Sequence, residues 1–585
     1  MHTIDWIIVG LYFTVSFSVA VYFSKRAGKN IEEFFLSGRS LPWWVAGTSM
    51  VATTFATDTP LAVTELVSQN GIAGNWLWWN FIVGGMLTVF FFARLWRRAD
   101  VVTDVEFIEL RYSGKSGSFL RGFRALYLGL LINIVVMGWV NLAMISILEG
   151  MFGIPSSLVR YYVFGIMMFV AVYSALGGLW GVVFNDAVQF VIAMTGTTVL
   201  MFIVLQRPEV GGISGLQNQL PDWVFRFTPV MGGVEVVAGG ALSLSVSAFV
   251  AYIGIQWWAS WYPGSEPGGG GFIAQRMLSS RNEKHALLAT LWFNFAHYCL
   301  RPWPWIVVGI ATLVLYPDLD PDQRRLGYIY AMRDFLPVGL KGLLVATFLA
   351  AYMSTITTLL NWGTSYLVND FYKRFCKREA SERHYVGVSR FSTFLLMVAS
   401  VLVTLVIPTI SGAWQFVIES GSGIGLVLIL RFYWWRINAW SEIVATIVPF
   451  FVYGYIKLYT EVVFPVSLYY IVLISTIAWI LATFITSPVK EGHLVSFYEK
   501  VRPGGLGWSK IQRIAPHVKT DSGFGWLFVD WLSGVILLYS GVFGVGKLIF
   551  GYYWSGLGLL LVGSLCGGII YWDLSRRGWK QVINN

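Results

Sequence analysis

GLKGLLVATFLAAYMSTITTLLNWGTSYLVND, residues 339–370, is apolar, long enough to cross a bilayer, and carries Ser354, Thr355, Thr357 and Thr358 near its middle. On a helix, residues three and four apart share a face. Ser354 therefore clusters with Thr357 and Thr358, and Thr355 lies one turn from Ala351. Neutral hydroxyl oxygens are hard ligands that suit a dehydrated alkali cation. Ser and Thr also pack transmembrane helices against one another. The window alone favours packing, and the rest of the chain reverses that preference.

The 585 residues are 56% hydrophobic and only 12% charged, with mean hydropathy +0.64. Soluble domains carry about 25% charged residues, so this is a polytopic membrane protein with the lipid bilayer as its main surroundings. The net charge of +10 does not indicate nucleic-acid binding, because the basic residues punctuate apolar spans and form no basic domain. Cys299, Cys376 and Cys566 are far apart and have neither metal-site nor disulfide spacing. The first apolar stretch, 4–23, has basic residues after it, at Lys25 and Arg26, and none before it. A cleaved signal has the reverse order, so an uncleaved first helix is expected, with its N-terminus outside.

About 15 candidate spans follow from hydropathy: 4–23, 41–69, 74–96, 120–149, 159–178, 183–205, 234–262, 285–316, 337–370, 385–409, 413–434, 437–459, 465–486, 527–549 and 553–573. With the N-terminus outside, the segments 24–40, 94–124, 263–285, 370–390, 431–436 and 488–525 and the C-terminal tail are cytoplasmic. Together they hold 31 of the 41 Lys and Arg residues, as the positive-inside rule requires. The expected location is the cell (plasma or inner) membrane, with a cytoplasmic C-terminus.

Two spans are interrupted. LPWWVAGTSMVATTFATDTPLAVTELV (41–67) has Asp58-Thr59-Pro60 near its centre, and the span 234–262 runs into SWYPGSEPGGGG (260–271), which cannot be continuous helix. Breaks at matching positions of two halves mark the binding site of an inverted-repeat transporter. The halves are five spans each, and the odd number inverts the second. The expected organisation is an N-terminal helix and loop (1–40), a first repeat (41–205), an extracellular loop (206–233), a second repeat (234–435), two peripheral helices (436–487), a cytoplasmic linker (488–525) and a C-terminal hairpin with a short tail (526–585).

FFLSGRSLPWW (34–44), YSALGGLWGVVFNDAVQ (173–189), GGFIAQRML (270–278) and AAYMSTITTLLN (350–361) are motifs in this order and spacing, and the chain resembles the sodium:solute symporter family over roughly residues 5–460. That family includes sodium–glucose, sodium–proline and sodium–sialate carriers. The resemblance implies an all-α, five-plus-five inverted-repeat (LeuT-like) core, here with one extra N-terminal and about four extra C-terminal helices. Core helices 1 to 10 are then the spans from 41–69 to 413–434 in order. It implies Na+ as the coupling ion, held between core helices 1 and 8 by carbonyls of Ala52, Phe55 and Ala351 and hydroxyls of Ser354 and Thr355. The bottom-up reading agrees, since a broken helix frees carbonyls that those hydroxyls face. Some members bind a second sodium, and Asp186, Ser354, Thr357 and Thr358 occupy those positions. An acid inside a span is a functional candidate by default. Capping its own helix is the alternative role for Asp186.

The solute positions depart from the sugar carriers. Trp78 stands where those have a Glu on core helix 2, and Phe81 replaces a polar neighbour one turn on. Asp58 and Thr59 stand where they have Glu and Gln on core helix 1. Ile418 replaces a Gln on core helix 10, with Glu419 beside it. The insertion in core helix 6 leaves Trp257, Trp258, Trp261 and Tyr262 all open as the gating aromatic. Trp76, Trp78, Trp79 and the core helix 6 tryptophans serve either as lipid-facing belts or as cavity walls for sugar faces or cations. On core helix 7, Asn294, His297, Tyr298 and Arg301 follow one helical face. A buried Arg needs an anionic partner. An internal bridge to Asp58, Glu65 or Glu419 is the favoured reading, and a substrate carboxylate is the other.

No enzyme constellation is present. GVFGVGK (541–547) resembles a phosphate loop, but Leu548 follows and no strand precedes it, so it reads as Gly-mediated helix packing. The sequence therefore points to a sodium-coupled symporter that imports a small polar organic solute, sugar-like or carboxylate-bearing, by alternating access. A cation channel and a transport-incompetent solute sensor on the same fold are the rival readings. The sequence does not specify an oligomeric state.

Overall fold

The computed structural model describes residues 1–231, 243–407, 410–520 and 523–577. The start of the expected span 234–262, part of the expected span 385–409 and the end of the C-terminal tail lie outside the described residues. The described chain is almost wholly helical, and its one sheet pairs Val230–Met231 with Ser243–Leu244.

Eleven helices among the described residues are long and apolar enough to cross a membrane without interruption. The expected number of about 15 is not reached by this measure, and the reasons are local. Thr3–Ala27 is the first of the eleven, but the stretch 41–69 is two helices, Trp43–Thr54 and Thr59–Asn70. Pro60 can sit in the first turn of the second helix, where no backbone N–H is needed, but could not continue the first. The second repeat breaks in the same way. Helix ends at Ala259 and resumes at Gly271–Ser279, and Gly264, Gly268, Gly269 and Gly271 take φ from +54 to +84 between and at these ends, a region open to Gly at no steric cost. The expected spans 159–178 and 183–205 follow each other directly within Ser156–Leu205 as two helices that break at Gly178, whose φ of 51 and ψ of −155 are not helical.

The hydroxyl-bearing helix Leu340–Ser365 continues as a wider π-turned segment to Cys376, and 94% of its most apolar window is buried inside the protein. It is the central post, packed on Ser156–Leu205, on the outer helix Thr3–Ala27 and on Trp43–Thr54. Its C-terminal end is clamped by an ion-pair network, in which Arg121 bridges Glu109 and Asp370 and Arg374 reaches Glu109 at 2.8 Å. Burial raises the Glu109 carboxyl, but hydrogen bonds from Arg374, Ser118 and Arg121 outweigh it and hold the group at about 2. The stability this lends is therefore present above the ordinary glutamate range and is lost only as pH falls toward 2.

Close helix crossings use glycine. A Cβ at Gly363 would lie 1.8 Å from Asn133 Nδ2 and 2.7 Å from the Gly129 carbonyl. Gly363→Ala is expected to cost about 1–3 kcal/mol through overpacking, read as a lower unfolding temperature in detergent, whereas Gly387→Ala, which meets nothing within 4 Å, should be neutral. The GVFGVGK glycines lie in the helix Phe524–Ile549, with Gly544 against Leu560 and Gly556 of the hairpin partner. They pack this helix against its neighbours.

Candidate functional site

The break in core helix 1 exposes the end of Trp43–Thr54, and Phe55 caps it at φ −85 and ψ 68, its N–H donating to the carbonyls of Val51 and Ala52. Thr355 faces this end from the central post. Its hydroxyl donates to the Thr53 carbonyl at 2.9 Å and to the Ala351 carbonyl at 3.1 Å. Thr358 meets Thr53 hydroxyl to hydroxyl at 3.0 Å. Thr355, Ala351, Ala52 and Phe55 are thus gathered at one helix end. Ser354 is not turned toward them and donates instead to Asp186 Oδ1 at 2.6 Å.

Asp186 is fully buried and stands among Ser49, Ser354 and Arg276. Ser49 donates to its Oδ2 at 2.5 Å, and Arg276 Nη2 lies 3.7 Å from the same oxygen. Arg276 also donates to Thr358 at 2.7 Å and to Ser49 at 3.1 Å. Thr357 turns away, bonding the Met353 carbonyl and accepting from Tyr173. Asp186 therefore does not cap its own helix but joins four helices. Arg276 lies within GGFIAQRML (270–278), and its role as the partner of Asp186 comes from the fold. A charged residue in a largely apolar stretch was the available signal.

Next to the helix break lies a cavity of about 170 Å³. Asp58, Thr59, Trp78, Phe81, His297, Arg301 and Ile418 all line it, together with Tyr262, Gln256, Tyr298, Trp139 and Trp414. Trp78 stacks on Tyr298 at 5.6 Å and Phe81 on Tyr262 at 6.3 Å. Four of the expected solute residues lie elsewhere. Trp257 packs on Trp531, and Trp261 donates its backbone N–H to the Gly421 carbonyl and faces away from the cavity. Tyr262, the next residue, lies on the wall instead. Glu419 accepts from Ser467 at 2.6 Å and lies 3.6 Å from Lys457, on a different face of its helix from Ile418. Asn294 does not reach this cavity with His297, Tyr298 and Arg301, because a π-turn at Ala296–Leu300 shifts the register.

Arg301 has no carboxylate within ion-pair distance among the described residues. Its guanidinium donates to Thr54 at 3.2 Å, lies 3.1 Å from His297 Nε2, and sits over Trp305. The internal bridge favoured by the sequence is not formed: Glu419 is engaged elsewhere, and Asp58 is near enough to interact through space but not to bond. Asp58 Oδ1, Arg301 Nε and both amide atoms of Gln256 are buried with no hydrogen-bond partner. One carboxylate and one guanidinium thus line a largely aromatic chamber without satisfying each other.

The model of the sodium:solute symporter family matches residues 34–448. A Mus musculus sodium/glucose cotransporter 4 is 27% identical over 429 residues, covering 69% of this chain and 60% of that protein. A Vibrio parahaemolyticus sodium/glucose cotransporter is 24% identical over 474 residues, covering 76% and 84% respectively. A solved structure of a Na+-coupled sialic acid symporter, substrate-bound and outward-open, superposes with a TM-score of 0.65 at 19% identity, covering 84% of this chain and 99% of that one.

Proposed function

Because the chain belongs to the sodium:solute symporter family, we propose that it imports a small polar organic solute, sugar-like or carboxylate-bearing, by alternating access coupled to sodium. Sodium-coupled symport across a membrane, and not enzymatic catalysis, is the property of the family. The observation that carries the reading is the meeting of Thr355 with the carbonyls of Thr53 and Ala351 at a broken helix, with the cavity against the same break and Thr53, Thr54 and Thr355 on its wall. Thr54, the last residue before the break, hydrogen-bonds His297 at 2.9 Å and Arg301 at 3.2 Å on the cavity wall. An ion that orders this helix end therefore orders the solute site as well. Each charge that moves inward through 100 mV contributes about 2.3 kcal/mol. The orientation with the N-terminus outside and the C-terminus cytoplasmic belongs to the same proposal, and the placing of basic residues supports it.

The test is sodium-dependent thermal stabilisation of purified protein across a panel of sugars, polyols and carboxylates, since a ligand of the folded state raises its stability. Thr355→Ala removes one candidate ligand oxygen and is expected to raise the sodium concentration for half-maximal stabilisation about tenfold or more, equivalent to about 1.4 kcal/mol. Unchanged sodium response in a folded Thr355→Ala protein would remove the site from this helix. Saturable, concentrative uptake into proteoliposomes separates a carrier from a channel or a sensor.

A further inference from the structure

Beside the solute cavity, at the break of core helix 6, lies a second cavity of about 20 Å³. That is room for one water-sized occupant. Phe81, Tyr298, Gly264 and Ser265 belong to the walls of both cavities. Two buried oxygens on the walls of the small one have no partner: Glu266 Oε1 and Asn294 Oδ1, on residues 4% and 1% exposed. Each is fixed by its other atom. Glu266 Oε2 accepts from the Gly264 N–H at 3.0 Å, and Asn294 Nδ2 donates to the Thr290 carbonyl at 2.8 Å. The surrounding backbone is bare where it approaches them. A Cβ at Gly85 would lie 1.9 Å from Asn294 Oδ1, and one at Gly271 would lie 2.6 Å from Glu266 Oε1.

Both orphaned atoms are acceptors, and one belongs to a carboxylate. Among the described residues no Lys, Arg or His pairs with Glu266. Its charged neighbour is another acid, Asp104, whose two oxygens are already taken by the Tyr366 hydroxyl and the Gly271 N–H. A carboxyl group buried among acceptors either holds a proton or, when ionised, needs a positive counter-charge. Only one acid reaches the chamber, and no group of three metal-ligating residues occurs among the described residues. The charge and ligand type therefore suit a single monovalent ion.

We propose that this chamber is a sodium site, with the Glu266 carboxylate, the Asn294 amide oxygen and the Ser265 hydroxyl as ligands, completed by carbonyls that the helix break frees. It rests on the sodium-symport reading and adds a second ion to it, at core helices 6 and 7 instead of at Asp186. The shared wall gives the coupling: solute packed on Phe81 and Tyr298 closes the chamber over its ion.

Equilibrium binding of radiolabelled sodium to the purified full-length protein, without solute, tests it. The expected result is two ions per chain in the parent, one in Glu266→Gln, and at least about a tenfold weaker second ion in Asn294→Ala. Gly85→Ala, which pushes on the Asn294 oxygen from outside the ligand set, should weaken the same ion and serves if Glu266→Gln does not fold. One ion in the parent, or two unchanged ions in folded Glu266→Gln and Asn294→Ala, overturns the proposal. Proton release in place of sodium uptake, abolished by Glu266→Gln, also overturns it by making the occupant a proton. Thr355→Ala keeps the two readings apart. Loss of one ion there with no effect at Glu266 leaves symport standing and removes only this site, whereas a parent that binds no sodium removes the symport reading itself.

Discussion

Arg301→Ala is expected to weaken solute binding about a hundredfold or more while leaving the empty protein as stable as the parent, or more so. The parent buries a guanidinium that no carboxylate neutralises at contact, with Nε unpartnered and the remaining bonds made to Thr54 and His297. Removing an uncompensated buried charge relieves a desolvation cost. The solute then loses its donor fork, and hydrogen bonds to a charged group are worth about 1.5–3 kcal/mol each. Arg301→Lys should recover little, since an ammonium cannot present two parallel donors. Affinity and solute-free unfolding temperature measured on one preparation decide the matter. A solute-free mutant destabilised by about 3–5 kcal/mol would show that Arg301 is the structural counter-charge of Asp58 after all. If binding instead falls in the mutant with full solute-free stability, comparing a neutral polyol with a carboxylate of similar size separates the two solute classes.

The parts of the molecule that local chemistry specifies were readable from the residues. A proline at Pro60 and the glycine run 268–271 cannot continue a helix, so both breaks were visible, and four hydroxyls on an apolar helix marked the central post. The side chains that three-dimensional packing selects were not readable. Ile418 and Glu419 are neighbours in sequence but about 100° apart on a helix. One therefore lines the cavity while the other meets Ser467 and Lys457 on a peripheral helix pair. The heptad-like face from Asn294 to Arg301 assumed an unbroken α-helix. The π-turn at Ala296–Leu300 inserts an extra residue into the turn, so Asn294 leaves the solute wall for the smaller chamber. Among the aromatics left open on core helix 6, Tyr262 lines the cavity and Trp261 does not, a choice not readable because the loop after them has no helical register to extrapolate. The proximity of Arg276 to Asp186 joins residues 90 positions apart in the chain, and neither periodicity nor spacing carries such a contact.

That contact sets the largest expected effect on stability. Asp186 and Arg276 are both fully buried, and the Arg276 guanidinium ties Asp186, Ser49 and Thr358 into one network. Asp186→Ala strands the guanidinium and is expected to cost about 3–5 kcal/mol, or to prevent folding. Arg276→Leu strands the carboxylate and should cost a similar amount. The double variant Asp186→Ala/Arg276→Leu removes both charges and should regain most of the loss, the signature of a directly coupled pair in a double-mutant cycle. Sodium decides what the carboxylate is for. If Arg276 is its counter-charge, the loss in Asp186→Asn is the same with and without sodium, and charge moved per solute in proteoliposomes is unchanged. If sodium is its counter-charge, the parent's sodium-dependent stabilisation shrinks in Asp186→Asn and one charge per solute disappears. The first outcome is expected, because the guanidinium already supplies the positive charge and its hydrogen bonds to Ser49 and Thr358 hold it in place. The second would mean that Arg276 withdraws when the ion enters, returning Asp186, Ser354, Thr357 and Thr358 to service as a sodium site.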